Sequence, residues 1–237
     1  MARKKMSTTK LEIIQVATRL FLEKGFSKTS AKEIADELEI STGNLTFHFP
    51  TKEHLLAVVV RAQCAFQRRM MERAVQEGAT SLLAVCLELM VMASASENSE
   101  IAHDFYIAGY THPMALQILR YNDRMRAKDV FAEYCPHWTD TQYREAETLI
   151  SGIEYATLMT TEDSAPLETR IRGALNCLML IYNVPEHVRE NKIAKVMALD
   201  YKTMGQAVFD EFLAYTTQLT DDDIEQLLQP LEGEAVA

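Results

Sequence analysis

The sequence predicts an all-α fold, and three observations support this prediction. The chain has 237 residues but only 8 glycines and 6 prolines, so residues that interrupt helices are scarce. Apolar residues recur at helical spacing over most of the chain, and the alternation typical of strands is absent over any useful length. Hydrophobic residues make up 48% and charged residues 24% of the chain, which excludes the disordered, collagen-like and low-complexity classes.

Four helices are expected in the N-terminal part of the chain. Thr9 with Glu12, and Ser30 with Glu33, have the spacing of capping boxes, in which the two side chains satisfy backbone N–H groups of the first helical turn. Pro50 ends the third helix, because the residue before a proline avoids helical backbone angles. The predicted spans are residues 9–25, 30–38, 42–48 and 51–78.

The rest of the chain predicts further helices that are separated by weak punctuation. Their expected spans are residues 80–95, 101–109, 114–134, 140–160, 167–182 and 186 to about 216. The tail from residue 232 is expected to be frayed, and no internal repeat is visible in the sequence.

Several classes of protein are excluded by what the sequence lacks. No window approaches the roughly 18 to 20 apolar residues of a membrane helix. The basic start of the chain is not followed by an apolar run and a cleavage site, so a cytoplasmic protein with no membrane partner is expected. The four cysteines are expected to be reduced, and the scattered histidines do not support a metal site. No cofactor is expected.

The net charge of −10 is unevenly distributed. Residues 1–60 contain nine Lys or Arg and seven Asp or Glu, a balance of +2, whereas residues 61–237 contain fifteen and twenty-seven, a balance of −12. Arg3, Lys4 and Lys5 make residues 1–9 a basic arm. Such an arm is either a solvated terminus or a segment that adds salt-dependent affinity for DNA.

Residues 30–49 have the length and spacing of a helix-turn-helix motif, since two short helices joined by a tight turn follow a longer helix. In such a motif the last helix enters the DNA major groove, where short polar side chains reach base edges. Cap hydroxyls and helix N-termini hold phosphates.

Residues 13–56 carry five sequence features in order. These are Ile-Ile-x-x-Ala-x-x-Leu-Phe in the first helix, Gly-Phe before the Thr-Ser cap, Ile-Ala in the second helix, Gly-x-Leu in the third, and Phe-Pro-x-Lys-Glu leading into the fourth. With them the segment resembles the TetR/AcrR-type family of bacterial transcriptional regulators. The resemblance implies a helix-turn-helix DNA-binding domain at residues 10–56 and a helical effector-binding and dimerisation domain at residues 57–237.

The resemblance also implies which residues contact DNA. Thr29 and Ser30 match phosphate-binding positions, and Lys52 matches a lysine that grips the DNA backbone. The remaining predicted contacts come from the third helix and its cap: Ser41, Thr42, Gly43, Asn44, Thr46, Phe47 and His48.

Some of these positions leave alternatives open. Thr46 and His48 depart from the family, which usually has a tyrosine at the first position and an aromatic hydroxyl at the second, so the operator preference is not predicted. Asn44 could contact a base, or it could simply cap the helix or face solvent, and Phe47 could contact either the groove or the core. Glu39 stands where the family commonly has glycine in a left-handed turn.

An effector pocket is predicted from the 12 methionines of the chain, because flexible methionine side chains suit an adaptable cavity. A methionine-rich core is the alternative. The predicted lining residues are Met90, Phe105, Tyr106, Tyr110, Met114, Tyr121, Met125, Tyr155 and Met159. Three polar residues nearby could either anchor an effector in the pocket or lie at the surface or at helix ends: His103, Asp104 and His112.

Segments 140–160 and 167–182 occupy the place of the two dimerisation helices that the resemblance implies. Their apolar spacing would let two copies pair as a four-helix bundle, and burial within one copy is the alternative. Gly152 would allow close approach of the helices. The predicted interface residues are Leu149, Ile153, Ala156, Ile171, Leu175, Leu178 and Met179.

The predicted function is that of a transcriptional repressor. It would bind a pseudo-palindromic operator in double-stranded DNA as a homodimer and be released or altered by a small hydrophobic effector. One alternative is a structural or nucleoid-type DNA-binding protein without an effector. An all-helical enzyme is the other, but no nucleophile with a base, paired carboxylates or phosphate loop stands out, so no catalytic residue is predicted.

Overall fold

The computed structural model describes residues 2–76 and 81–229, which form helices joined by turns and contain no strand. None of the helices in these two ranges is long and apolar enough to cross a lipid bilayer. The all-α prediction is therefore confirmed. In chain order the helices are α1 (Ala2–Lys24), α2 (Ala31–Glu37), α3 (Thr42–His48), α4 (Lys52–Gln76), α5 (Ser81–Asn98), α6 (Glu100–Thr111), α7 (Pro113–Val130), α8 (Asp140–Leu158), α9 (Leu167–Ile181), α10 (Glu186–Met197), α11 (Tyr201–Thr217) and α12 (Asp221–Leu227).

Helices α1, α2 and α3 form the N-terminal domain and pack on the start of α4. The capping box predicted at Ser30 and Glu33 is present, and the Ser41 hydroxyl caps α3. One stripe of each helix is buried and the opposite face is exposed, as amphipathic spacing predicts. The core of this domain includes Ile13, Ile14, Ala17, Leu20, Phe21, Ile34, Ala35, Leu45 and Phe49.

Helix α5 is the centre of the C-terminal domain, and it packs against α4, α6, α8, α9, α10 and α11. Its residues are apolar on nearly every face, which is typical of a helix enclosed by others. Helix α11 approaches it most closely at Gly205, where a Cβ atom would lie 2.7 Å from the backbone nitrogen of Ala95. The absence of a side chain at Gly205 therefore sets the distance between these two helices.

Three of the helix predictions need correction: the start of α1, the single helix predicted for residues 186–216, and the missing helix α12. Helix α1 begins at Ala2 rather than at Thr9, so the predicted basic arm continues the helix, and the side chains of residues 2–9 lie outside the described part of the chain. The span 186–216 is two helices, because the chain turns between Met197 and Tyr201 without a glycine or proline. Helix α12 was not predicted, although Thr220 forms a capping box with Asp223. The expected frayed tail also lies outside the described residues.

The two domains meet where α6 contacts the turn between α1 and α2. The backbone N–H of Ser27 donates a hydrogen bond of 2.8 Å to Oδ2 of Asp104, and the Ser27 hydroxyl also donates to this carboxylate. The ring of Phe26 packs edge-on against that of His112, with 4.9 Å between centroids. Asp104 and His112 therefore hold the N-terminal domain and do not act as the polar anchors of a pocket.

Candidate DNA interface and effector cavity

Helix α3 presents a polar surface because two apolar side chains anchor its opposite face. Leu45 is fully buried and Phe49 is buried just after the helix ends. The hydroxyl oxygen of Ser41 accepts a hydrogen bond of 3.1 Å from the backbone N–H of Asn44 at the first turn. The residues left exposed are Ser41, Thr42, Gly43, Asn44, Thr46 and Phe47, which are the predicted DNA-contacting residues of this helix.

Phe47 and His48 extend this surface. The Phe47 side chain is 74% exposed, so it does not belong to the core. His48 is half-buried, and its pKa is lowered by desolvation and then by the positive charge of Lys10. A neutral imidazole at pH 7 brings no net charge to the surface, although it retains one N–H donor.

Thr29 and Lys52 have structural roles that the sequence did not predict. Thr29 is only 2% exposed, and its hydroxyl donates to the carbonyl of Gly25 at 2.8 Å. The predicted phosphate contact by Thr29 is therefore wrong. The Lys52 ammonium donates to the carbonyls of Phe26 and Thr29 at 2.8 and 2.9 Å, which ties α4 to the turn between α1 and α2. Only its third N–H remains for a phosphate.

Ser30 is exposed at the start of α2, where a phosphate contact is predicted. Its hydroxyl accepts a hydrogen bond of 3.1 Å from the backbone N–H of Glu33 and donates to the Glu33 carboxylate at 2.9 Å. Hydrogen bonds from Ser30 lower the pKa of Glu33, so this carboxylate stays ionised. The phosphate contact by Ser30 stays a prediction, and a phosphate there would lie near a negative charge.

The turn between α2 and α3 has the left-handed residue that the sequence indicated. Glu39 has φ of 54°, and the turn is closed by hydrogen bonds from the N–H of Glu39 to the carbonyl of Asp36 and from that of Ile40 to Ala35. This is the geometry in which helices end on a glycine, and a residue with a Cβ atom is strained there by about 1 kcal/mol.

Replacing Glu39 by glycine is therefore expected to raise the free energy of unfolding by about 1 kcal/mol without loss of DNA affinity. Chemical denaturation of the two proteins measures this difference. The matched control is Glu37→Gly in the last helical position of α2, where glycine and the loss of the exposed ion pair with Arg19 are together expected to lower stability by about 1 kcal/mol. A loss of stability in Glu39→Gly would contradict this account of the turn.

Three adjoining cavities lie inside the C-terminal domain. The outer cavity has a volume of about 150 Å³ and lies between α4, α5, α6 and α11. The middle cavity, of about 20 Å³, shares Gln63, Glu88 and Tyr106 with it. The inner cavity, also of about 20 Å³, shares Asp123 and Glu154 with the middle one. The three cavities therefore adjoin one another in a series from α11 towards α9.

The predicted pocket residues are only partly brought together. Tyr106 lines the outer and middle cavities, and Phe105 and Tyr110 line the middle one. Met125 and Met159 are 39% and 42% exposed, so they do not line a pocket in this chain. Four other predicted residues do not line any of the three cavities. They are Met90, which is fully buried in the core, Met114, Tyr121 and Tyr155.

A cluster of charged side chains around the middle and inner cavities was missed by the sequence analysis. Arg126 pairs with the carboxylate of Glu88 and, at 3.0 Å, with that of Asp123. Tyr110 donates a hydrogen bond of 3.1 Å to Glu154. The available sequence signal was Glu88, an acidic residue within the apolar stretch of α5 from Leu82 to Ala93. Its charged partners lie on two other helices, so their proximity could not be read from the sequence.

Burial raises the pKa of each carboxyl in this cluster. Desolvation is the main cause for Glu88, Asp123 and Glu154. The charge of Arg126 opposes the rise at Glu88 and Asp123, and repulsion from neighbouring carboxylates adds to it at Glu88 and Glu154. The pKa of Glu147, which accepts a hydrogen bond from the Tyr182 hydroxyl, is raised to about 8, again mainly by desolvation. The interior of the domain is therefore acidic and partly protonated at neutral pH.

The outer surface of α8 and α9 differs from the predicted dimer interface. Leu149 is 56% exposed and Ala156 is exposed, as the prediction requires, and Ile153 is half-buried. The four interface residues predicted on α9, however, are buried within the chain: Ile171, Leu175, Leu178 and Met179. Helix α9 instead exposes Arg172, Gly173, Asn176, Cys177 and Leu180.

The fold and the exposed α3 surface define a helix-turn-helix DNA-binding protein with a second, helical domain that encloses a cavity. Residues 13–59 match the family described as bacterial regulatory proteins, tetR family. The N-terminal segment of the chain is therefore similar to the DNA-binding segment of this family of transcriptional regulators.

Two curated relatives match the DNA-binding segment. The uncharacterised regulator YuxN of Bacillus subtilis is 50% identical over 44 residues, which are 19% of this chain and 15% of that protein. The transcriptional repressor KstR2 of Mycolicibacterium smegmatis is 36% identical over 50 residues, which are 21% of this chain and 24% of that protein. The matched segments thus span at most about a quarter of these relatives.

About three quarters of the chain share their fold with a solved structure. The FadR repressor of Thermus thermophilus, determined in complex with lauroyl-CoA, superimposes with a TM-score of 0.55 at 19% identity. The superposition covers 74% of this chain and 95% of that one. This similarity concerns the arrangement of the helices and includes most of the C-terminal domain.

Proposed function

We propose that this chain is a transcriptional repressor that binds a pseudo-palindromic operator as a homodimer and leaves it when a small molecule enters the C-terminal domain. The observation that supports this most is the connection of an exposed recognition helix to a cavity-lining helix. Helix α6 lines the middle cavity with Phe105 and Tyr110 and holds the N-terminal domain through Asp104. The protein would act in the cytoplasm, where an operator is accessible.

The proposed mechanism is a shift between two arrangements of the N-terminal domains. Helix α4 lines the outer cavity with Gln63 and Phe66 and begins at Lys52, which holds the turn between α1 and α2. An effector that binds better to one arrangement of α4 and α6 changes the separation of the two α3 helices. Two recognition helices must lie about 34 Å apart to enter successive major grooves, so a small change lowers operator affinity.

Operator binding by α3 is tested with DNA fragments selected by the purified protein. Asn44→Ala and Thr46→Ala are each expected to lower affinity for the selected fragment about tenfold to a hundredfold, because a lost base contact costs about 1 to 3 kcal/mol. Fluorescence anisotropy at fixed salt measures these affinities. Gln226→Ala, an exposed change on α12, is the control. Equal affinities for all four proteins would contradict the role of α3.

The dimer is proposed to form through the exposed faces of α8 and α9. Leu149 and Leu180 are 56% and 54% exposed, and a Cβ added at Gly152 or Gly173 would meet nothing within 4 Å. A surface with exposed leucines and small residues allows two helix pairs to approach closely, as in a four-helix bundle. On α9 the proposed interface therefore uses exposed residues such as Gly173 and Leu180 in place of the predicted residues, which are buried within the chain.

Leu149→Arg is expected to raise the dimer dissociation constant at least about tenfold, because the arginine charge would be desolvated in the interface. Sedimentation velocity across a dilution series measures the monomer fraction, and circular dichroism confirms the fold. Leu199→Arg is the matched control, since Leu199 is 40% exposed and follows the end of α10, outside the segments of α8 and α9. Dimers of the same stability in both variants would place the interface elsewhere.

A further inference from the structure

We infer that the cavity series binds an amphipathic monocation, with an apolar body of about one ring in the outer cavity and an ammonium group in the middle cavity. This inference rests on the proposed effector response and names the chemical class of the effector. Three independent features support it: the size and lining of the outer cavity, the charge balance of the middle cavity, and buried polar groups that have no partner.

The outer cavity is suited to an apolar group. Its lining includes Phe66, Met70, Leu87, Val91, Val208 and Phe212. A cavity of about 150 Å³ with an apolar lining accommodates one aromatic ring. The flexible side chains of Met70, Met92 and Met204 allow the wall to adjust to rings of different shape.

The middle cavity has an excess of carboxyl groups. Its wall carries Glu88, Asp123 and Glu154 but one guanidinium, that of Arg126, among the described lining residues. Arg126 is already paired with Glu88 and Asp123, whereas the hydrogen bond to Glu154 comes from a neutral tyrosine. An ammonium group beside Glu154 would balance this charge, and a carboxylate or phosphate would add to the repulsion.

Two buried polar side chains face the same space without a partner. Gln63 is 8% exposed and lines both the outer and the middle cavity, yet no hydrogen bond to its amide is found among the described residues. Tyr106, also 8% exposed, lines both cavities, and its hydroxyl likewise has no partner in the described part of the chain. Because both side chains line the cavities, the Gln63 carbonyl and the Tyr106 hydroxyl are available as acceptors for an ammonium N–H.

The middle cavity has the size of a small head group and lacks the ligands of a metal site among the described residues. Its volume of about 20 Å³ has room for a group the size of one water molecule, which is close to that of a primary ammonium. No group of three or more His, Cys, Asp or Glu side chains in the described ranges is arranged to hold a metal ion. A primary amine on a short arm therefore fits better than a divalent cation.

Ammonium binding is expected to release protons. Burial raises the pKa values of the carboxyls, which favours their protonated forms when the cavity has no cation. A bound ammonium favours the ionised carboxylates, so affinity should rise with pH through the range in which these groups titrate. The ionisable groups that face the cavities are Glu88 on α5, Tyr106 and Tyr110 on α6, Asp123 and Arg126 on α7, Glu147 and Glu154 on α8, and Tyr182 after α9.

The test uses three probes of matched shape and different charge: 2-phenylethylamine, 2-phenylethanol and phenylacetate. Isothermal titration calorimetry of the full chain at pH 7 is expected to give an affinity for the amine at least about tenfold above that for the alcohol, and no binding of phenylacetate. Titrations in buffers of different ionisation enthalpy should show proton release with the amine only. Equal affinities for amine and alcohol, or binding of phenylacetate as tight as that of the amine, would overturn the inference.

A charge-removing variant assigns the effect to this cavity. Glu154→Gln keeps an oxygen that can accept from Tyr110, and it is expected to weaken amine binding at least about tenfold while leaving the affinity for 2-phenylethanol unchanged. The control is Glu145→Gln, an exposed change on the same helix. Thermal unfolding of both variants verifies that they fold. Equal amine affinities of the two variants would refute the proposed head-group site.

Measuring operator affinity in the presence of each probe tests the cation site and the proposed effector response separately. Amine binding that discriminates charge but leaves operator affinity unchanged would support the cation site and contradict the effector response. Release from the operator by phenylacetate or 2-phenylethanol, without release by the amine, would contradict the cation site and support the effector response. The expected result is release by 2-phenylethylamine that is weakened in Glu154→Gln.

Discussion

Arg126→Met is expected to lower the free energy of unfolding by about 3 to 5 kcal/mol at pH 8, because removing one partner of a buried ion pair leaves the others uncompensated. The guanidinium pairs with Glu88 and Asp123, and all three side chains are less than one fifth exposed. Chemical denaturation at several pH values measures the effect. The control is Arg144→Met, since Arg144 is 65% exposed in its pair with Asp140 and should cost at most about 1 kcal/mol.

The loss should depend on pH in a defined direction. Without Arg126 the pKa values of Glu88 and Asp123 in the folded state rise further above their unfolded values of about 4. The folded state then binds more protons than the unfolded state between these values, so stability falls as pH rises through that window. The difference between wild type and Arg126→Met should therefore be small near pH 4 and large at pH 8. A difference no larger than that of Arg144→Met at pH 8 would contradict the role of this cluster.

Gly205→Ala is expected to lower the free energy of unfolding by about 3 kcal/mol. Helix propensity alone predicts the opposite, since alanine in place of glycine inside a helix adds about 1 kcal/mol. Here the new Cβ atom would lie 2.7 Å from the Ala95 nitrogen and 3.1 Å from the Val91 carbonyl oxygen. These are backbone atoms, so α11 must move away from α5, and overpacking of this kind costs about 1 to 3 kcal/mol or more.

Ala207→Gly, on the exposed side of the same helix, measures how much helix propensity alone contributes to stability. It is expected to lose about 1 kcal/mol, and both variants are measured by chemical denaturation. The clash, and not propensity, then decides the sign at Gly205. If Gly205→Ala stabilises the protein, the contact between α5 and α11 is looser than described here.

Local signals were sufficient for the N-terminal domain. The capping boxes, the helix-breaking Pro50 and the left-handed Glu39 all act within a few residues, so the spans of α2 and α3 were predicted almost without error. The start of α1 was misjudged because Thr9 has a cap spacing that the longer helix does not use. The predicted role of Thr29 failed for a different reason: its burial depends on how the end of α1 packs.

In the C-terminal domain the sequence determined that the chain forms amphipathic helices, and only the tertiary structure decided what covers each face. Apolar spacing on α9 marks a stripe that must be buried, but it does not distinguish the core of one chain from a dimer contact. Packing against α5, α8 and α10 covers Leu175 and leaves Leu180 exposed.

The charged residues around the cavity also show the difference between what the sequence determines and what the tertiary structure decides. Glu88, Asp123, Arg126 and Glu154 are separated by up to 66 positions in the chain, and each has an ordinary place on its own helix. Their charges interact only when α5, α7 and α8 enclose them away from water, because burial both strengthens the interactions and raises the pKa values. Helix formation is a local property that the sequence determined, whereas the acidic cavity arises from long-range packing that only the folded chain establishes.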